Sequence, residues 1–138
     1  MSMRKLLRAK IHRLTVTGAD VSYEGSLTLP PDLMQIADIL PYESVQVWNV
    51  TRGTRLETYA IRGLDGSRDV CANGAAAHLV FPGDQIIVAT FCFFSAAEVA
   101  QHQPKLLFVN HQNMLKYAGP EIPGPQRREH AAAPSISQ

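Results

Sequence analysis

Cysteine is scarce, occurring only as Cys71 and Cys92, each among apolar or small neighbours that suit a buried free thiol better than a disulfide framework. Neither lies at a metal-ligand spacing, and the five histidines include no pair at i and i+4, so no metal site is expected. No apolar run approaches the roughly 18 residues of a membrane-spanning helix. A charge excess is missing too: 13 Lys and Arg against 12 Asp and Glu leave a formal net charge of +1. That balance lacks the basic face or stripe through which a protein holds nucleic acid. Small molecules and other protein subunits are the partners to expect. Basic residues do open the chain (Arg4, Lys5, Arg8, Lys10, Arg13), but the apolar stretch of a signal peptide does not follow them, which predicts a cytoplasmic protein.

What is present suffices for one core. With 138 residues, 46% of them hydrophobic, the chain predicts a single domain over residues 1–118. A loose tail over 119–138 is expected, since Pro, Ala, Ser and Gly bury little apolar surface. Residues 10–17 alternate roughly, with Ile11, Leu14 and Val16 apolar and a phase change near Arg13, which reads as an irregular strand. Gly18-Ala19-Asp20 reads as a turn and residues 21–29 as a second extended segment. Pro30-Pro31-Asp32 opens a helix with Leu33, Ile36, Ala37 and Leu40 on one face, stopped by Pro41.

Residues 45–61 predict a β-hairpin turning at Thr51-Arg52-Gly53-Thr54. Period two puts Arg55, Glu57 and Tyr59 on one face of its second strand and Leu56, Thr58 and Ala60 on the other. After a turn at 63–67 and a short strand at 68–72 comes Asn73-Gly74-Ala75-Ala76-Ala77, a run of small residues that permits close backbone approach. Phe81-Pro82-Gly83-Asp84 turns again, and residues 85–94 read as a strand buried on both faces. Ser95-Ala96-Ala97-Glu98 is a capping box opening a helix to about His102; Pro104 ends it, and 106–109 reads as the last strand. Many short strands with two short helices predict a mainly β barrel or sandwich.

Tyr23-Glu24-Gly25-Ser26 offers chemistry that no other tetrapeptide here offers. Gly25 lacks a Cβ, so its peptide can adopt angles closed to other residues and expose its carbonyl carbon to the Ser26 hydroxyl. That hydroxyl can displace the peptide nitrogen to give an ester. β-Elimination of the ester leaves a dehydroalanine, which hydrolyses to ammonia and a pyruvoyl group in place of Ser26. Taken alone, Gly-Ser is more often turn chemistry.

Three segments together resemble the pyruvoyl-dependent aspartate 1-decarboxylases. They are residues 12–26, ending in Tyr-Glu-Gly-Ser; Trp48-Asn49-Val50-Thr51 through Thr58-Tyr59-Ala60-Ile61; and Asn73-Gly74-Ala75-Ala76-Ala77-His78. The match runs in order from residue 10 to residue 94. The resemblance implies a double-psi β-barrel with short peripheral helices, cut between Gly25 and Ser26 into a β chain, 1–25, and an α chain, 26–138. It also implies a homotetramer with active sites between subunits, and conversion of L-aspartate to β-alanine and CO2 for pantothenate synthesis. The implied cofactor is the covalent pyruvoyl group made from Ser26, with neither metal nor pyridoxal phosphate; a maturation factor is left open. Two rival readings are an uncut barrel serving as a binding or assembly module, and a pyruvoyl decarboxylase of another amino acid such as glutamate, one methylene longer.

Under this resemblance the ketone at Ser26 condenses with the aspartate amine as a Schiff base and takes up electrons as CO2 departs. Two substrate carboxylates call for cations, and the planar guanidinium of Arg55 suits paired hydrogen bonds. Lys10 is the second candidate, with His12 on the same strand face; a strand-edge lysine is otherwise solvated. Trp48 walls the pocket, or is simply core. The family assigns proton donation to the position of Tyr59, otherwise an amphipathic-strand tyrosine. It assigns a hydrogen bond to the Gly25 carbonyl to the position of Thr58, otherwise an ordinary β-former. Tyr23, Asn73, Gly74, Ala75 and Ala76 correspond to pocket positions that would otherwise read as tight-loop residues. The chain departs from the family at Leu27-Thr28-Leu29-Pro30-Pro31, in its extended tail, and at Ser22, where several relatives carry His or Asn.

Overall fold

A computed structural model describes residues 2–125; the part of the expected tail from 126 onward lies outside the described residues. Among the described residues the chain forms nine strands and two short α-helices. The first half comprises β1 (Met3–Thr15), β2 (Gly18–Asp20), β3 (Ser26–Leu29), α1 (Pro31–Ala37), β4 (Ser44–Asn49) and β5 (Arg55–Arg62). The second comprises β6 (Cys71–Asn73), a 3-10 turn (Gly74–His78), β7 (Gln85–Ser95), α2 (Ala96–Gln101), β8 (Lys105–Val109) and β9 (Leu115–Ala118). The hydrogen-bonded order is β2-β6-β3-β5-β4-β7-β1-β8-β9. Ladders are mixed: β3 runs parallel to β5 and antiparallel to β6, while β1 runs antiparallel to β7 and parallel to β8. This mainly β architecture accords with a double-psi β-barrel.

Alternation builds the core. Val45 and Val47 of β4 point inward between exposed or half-buried neighbours, and Ala60 of β5 joins them. Ile11 and Leu14 of β1 are both fully buried although three residues apart, which strict period two forbids. The reason is a bulge: the β1–β7 register shifts between Ile11 and Leu14, and Arg13 adopts φ 68°. The phase change near Arg13 in the sequence is this bulge. The 45–61 hairpin and the Ser95 to Glu98 capping box also form as expected.

Several local expectations give way to non-local pairing. Gly18–Asp20 is a strand and not a turn, because it finds a parallel partner in Cys71–Asn73. Residues 21–25 bend, so the extended segment begins only at Ser26. Helix α1 stops before Pro41, where Asp38 at φ 58° closes it; the Asp38 and Ile39 N–H groups reach the Gln35 and Met34 carbonyls. Ile36 and Leu40 are consequently exposed, and Met34 and Ile39 are buried instead. The 68–72 strand shifts to Cys71–Asn73, since side chains take the backbone groups before it: Asn113 Nδ2 donates to the Arg68 carbonyl and the Val70 N–H donates to Thr17 Oγ1. The central residues of β7, 88–90, are buried, but Phe93 is exposed. Strand β8 is not the last, because β9 pairs with it. The basic opening segment is the first part of β1, paired with β7 from Met3↔Ser95 onward. Both cysteines are free and half-buried.

Candidate active site

Strand β3 begins on Ser26, and its two ladders set the surroundings. Antiparallel pairing puts Ser26 opposite Asn73 of β6, and parallel pairing puts Leu27 opposite Ala60 of β5, which brings Tyr59 to the Gly25–Ser26 junction. Ser26 is only 3% exposed and carries φ 116°, a conformation that L side chains rarely adopt. Asn73 is buried; its Nδ2 donates to Thr28 Oγ1 at 3.1 Å and, over a long 3.5 Å, to Ser26 Oγ.

The small-residue run supplies the close approach its composition suggested. Gly74, at φ +64°, lies against Gly25 so tightly that a Cβ on it would stand 2.9 Å from Gly25 Cα and 3.2 Å from both Gly25 N and the Tyr23 carbonyl oxygen. From the other side the Tyr59 hydroxyl donates to the Gly25 carbonyl over 3.4 Å. The family resemblance implies a bond to that carbonyl from Thr58; the hydroxyl within hydrogen-bond distance of it in the intact chain is that of Tyr59. Thr58 lines the same cavity, of about 260 Å³, together with Gly25, Ser26, Tyr59, Asn73, Ala75 and Ala76. A second cleft of about 400 Å³ opens beside it, lined by Tyr23, Gly25, Ser26, Tyr59 and Asn73, and also by Tyr42 and Arg62.

The structure thus gathers Tyr23, Gly25, Ser26, Thr58, Tyr59, Asn73, Gly74, Ala75 and Ala76 around one peptide bond. Four expected residues lie elsewhere. Arg55 sits at the far end of β5 with its guanidinium 5.0 Å from the Trp48 ring, and Trp48 in turn approaches Phe91 at 6.3 Å. Lys10 and His12 are on β1, which β5, β4 and β7 separate from β3. The Lys10 ammonium pairs with Glu121 at 2.9 Å, and its side chain is 11% exposed; the His12 ring packs 5.3 Å from Phe108.

Tyr42 and Arg62 were missed by sequence reasoning. Tyr42 follows a proline in a short connection, and Arg62 ends a strand, so neither position carries a periodic signal. The Tyr42 ring stacks on that of Tyr59 at 6.1 Å with a 28° interplanar angle. Arg62 pairs with Asp65 at 2.6 Å. Beneath the Tyr42 turn lies Glu43. Burial pushes its carboxyl up, but the Leu40 N–H, the Thr90 hydroxyl and the Arg8 guanidinium outweigh that and hold it below the usual carboxylate range.

Among the described residues no group of His, Cys, Asp and Glu is placed to hold a metal ion, and no helix is long and apolar enough to cross a membrane. Fold and site define a small, mainly β protein built around one Gly-Ser linkage whose serine is buried and strained while its glycine is open to a cleft. A family model described as aspartate decarboxylase matches residues 2–116. The chain is 64% identical over 125 residues to aspartate 1-decarboxylase of Rhodopirellula baltica, covering 91% of this chain and 80% of that protein. It is 54% identical over 128 residues to aspartate 1-decarboxylase of Legionella pneumophila (strain Paris), covering 93% and 96%. With aspartate 1-decarboxylase of Myxococcus xanthus the identity is 55% over 128 residues, covering 91% and 98%. The chain belongs to the aspartate decarboxylase family.

Proposed function

We propose that this chain cuts itself between Gly25 and Ser26 and then converts L-aspartate to β-alanine and CO2, the step that supplies β-alanine for pantothenate synthesis. The observation that carries the reading is Ser26 itself, buried and held at φ 116° against a glycine whose carbonyl faces the Tyr59 hydroxyl. Such a backbone costs on the order of 1–3 kcal/mol. Cleavage removes the cost, because the Ser26 nitrogen departs and the φ torsion ceases to exist.

The Ser26 Oγ attacks the Gly25 carbonyl carbon, negative charge moves onto the carbonyl oxygen, and the C–N bond breaks to leave an ester. Tyr59, already hydrogen-bonded to that oxygen, and Thr58, lining the same cavity, are the donors available to the developing charge. Elimination across Cα and Cβ of residue 26 then releases the Gly25 carboxylate, and water replaces nitrogen at Cα with loss of ammonia. The residues present fit the resulting pyruvoyl group: Gly74 leaves space only for backbone at its base, and Asn73 offers an amide beside it. When present, the group supplies the electron sink for loss of CO2. Tyr59 delivers the proton to the substrate Cα, its side chain lining the cleft beside Ser26.

Charge recognition needs a second copy of the chain. Arg55 is four residues from Tyr59 along one strand, about 13 Å at the usual rise per residue, its guanidinium lies over Trp48, and it lines neither cleft at its own Ser26. We assign the substrate carboxylates to Arg55, backed by Trp48, and to Lys10 beside His12, brought in across subunit contacts of a homotetramer. We assign this assembly to the cytoplasm, where L-aspartate is at hand as a metabolite. The test is Ser26→Ala: it removes both the attacking atom and the ketone precursor, so the purified variant should stay whole and make no β-alanine. β-Alanine production by the uncut variant would overturn the proposal.

A further inference from the structure

We propose that Tyr42 is a positioning residue that holds the Tyr59 phenol in its working orientation, an inference that rests on the role given to Tyr59 above. Tyr42 has no local reason to be a tyrosine. It sits at φ 71°, in the left-handed region that a bulky side chain rarely takes and that Gly or Asn fills without penalty. Its side chain is not core, being 75% exposed. What the ring does touch is Tyr59, 6.1 Å away and nearly parallel, while Tyr42 also lines the cleft that opens on Gly25 and Ser26.

The turn beneath that ring is stiff, as a positioning device requires. The Tyr42 N–H donates to the Ala60 carbonyl at 2.7 Å and the Ala60 N–H donates to the Glu43 carbonyl at 2.9 Å, so the turn is bonded to the residue next to Tyr59. The Glu43 carboxylate locks the other side, accepting from the Leu40 N–H at 2.9 Å, the Arg8 guanidinium at 2.7 Å and the Thr90 hydroxyl at 2.8 Å. Tyr59 by itself is a partly exposed side chain on a strand, with a long hydrogen bond as its polar restraint. A second aromatic face over it restricts ring rotation and sheds water from one side of the phenol. The stacked pair therefore confines the proton-donating oxygen to the cleft that both rings line.

The experiment compares Tyr42→Asn, which keeps the left-handed turn and removes the ring, with Tyr42→Phe, which keeps the ring. Each cleaved, purified variant is measured for kcat and KM with L-aspartate and for the pH profile of kcat, beside Tyr59→Phe. Losing one stacked aromatic pair should lower kcat of Tyr42→Asn by about three- to tenfold, with KM within about twofold. Tyr42→Phe should restore kcat, and thermal stability should not fall in Tyr42→Asn because Asn tolerates the turn. Parental kcat in Tyr42→Asn, an equal loss in Tyr42→Phe, or a change confined to KM overturns the inference. Slow turnover by Tyr59→Phe alone means that this inference fails while the role of Tyr59 stands; parental turnover by Tyr59→Phe removes that role and the inference with it.

Discussion

Replacing Gly74 by alanine should slow the self-cut by displacing the Gly25 backbone, with no change to any reacting group. The added Cβ would meet Gly25 Cα at 2.9 Å, against an ordinary contact of 3.4 Å or more, so one backbone must retreat by about 0.5 Å. A misplacement of about 1 Å costs roughly 10²-fold in such reactions, so half of that predicts about tenfold slower cleavage. Alanine at φ +64° also carries about 1–2 kcal/mol of backbone strain, which by itself says nothing of the site. Gly53 supplies the control, having φ +77° with nothing within 4 Å of an added Cβ. Both substitutions, measured in the uncut Ser26→Ala background, should lower the melting temperature by roughly 3–8 °C. Only Gly74→Ala should accumulate unprocessed chain, followed by intact mass from the moment of purification. Equal cleavage rates in Gly74→Ala and Gly53→Ala would refute the claim that close packing at Gly74 aims the scissile carbonyl.

Tyr59→Phe should slow both the cut and β-alanine production, because one phenol faces the Gly25 carbonyl and the cleft. Thr58→Ala should slow the cut alone, by up to about 10²–10³; normal turnover by fully processed Tyr59→Phe would contradict this division. Glu121→Gln removes the carboxylate that occupies Lys10, so KM for L-aspartate should fall by up to about fivefold if Lys10 receives a substrate carboxylate. An unchanged KM would argue against that role. Asp84 is pushed up by burial, yet Asn49, Arg52 and the Phe81 N–H hold its pKa below the ordinary 3.8. Its stabilising share is therefore complete above that value and is lost as pH falls through the depressed folded pKa. Melting temperatures of the parent should drop in that acid window, and Asp84→Asn should flatten the drop; parallel pH profiles would count against it.

Legibility in the sequence followed the range of the interactions. The 45–61 hairpin and the Ser95 to Glu98 capping box are set by neighbours in the chain, and composition and period reveal them; the bulge at Arg13 belongs to the distant β1–β7 pairing, yet it leaves a phase change in the local pattern. Gly18–Asp20 was misread as a turn because its identity as a strand depends on a partner about fifty residues away, and the β9 strand, short and polar at its start, was missed. The site shows the same split. Motifs placed Gly25, Ser26, Tyr59, Asn73 and the alanine run in one group, and the β3 ladders bring them together. Local pattern could not reveal that Tyr42 leans on Tyr59, or that Glu121, beyond residue 116 where the family match ends, pairs with Lys10.

The most direct measurement is the intact mass of the purified chain. Two fragments are predicted, residues 1–25 and 26–138, the larger lighter than a serine-initiated chain by the mass of ammonia. A single uncut chain that nevertheless forms β-alanine, or a larger fragment that still begins with serine, would contradict the account.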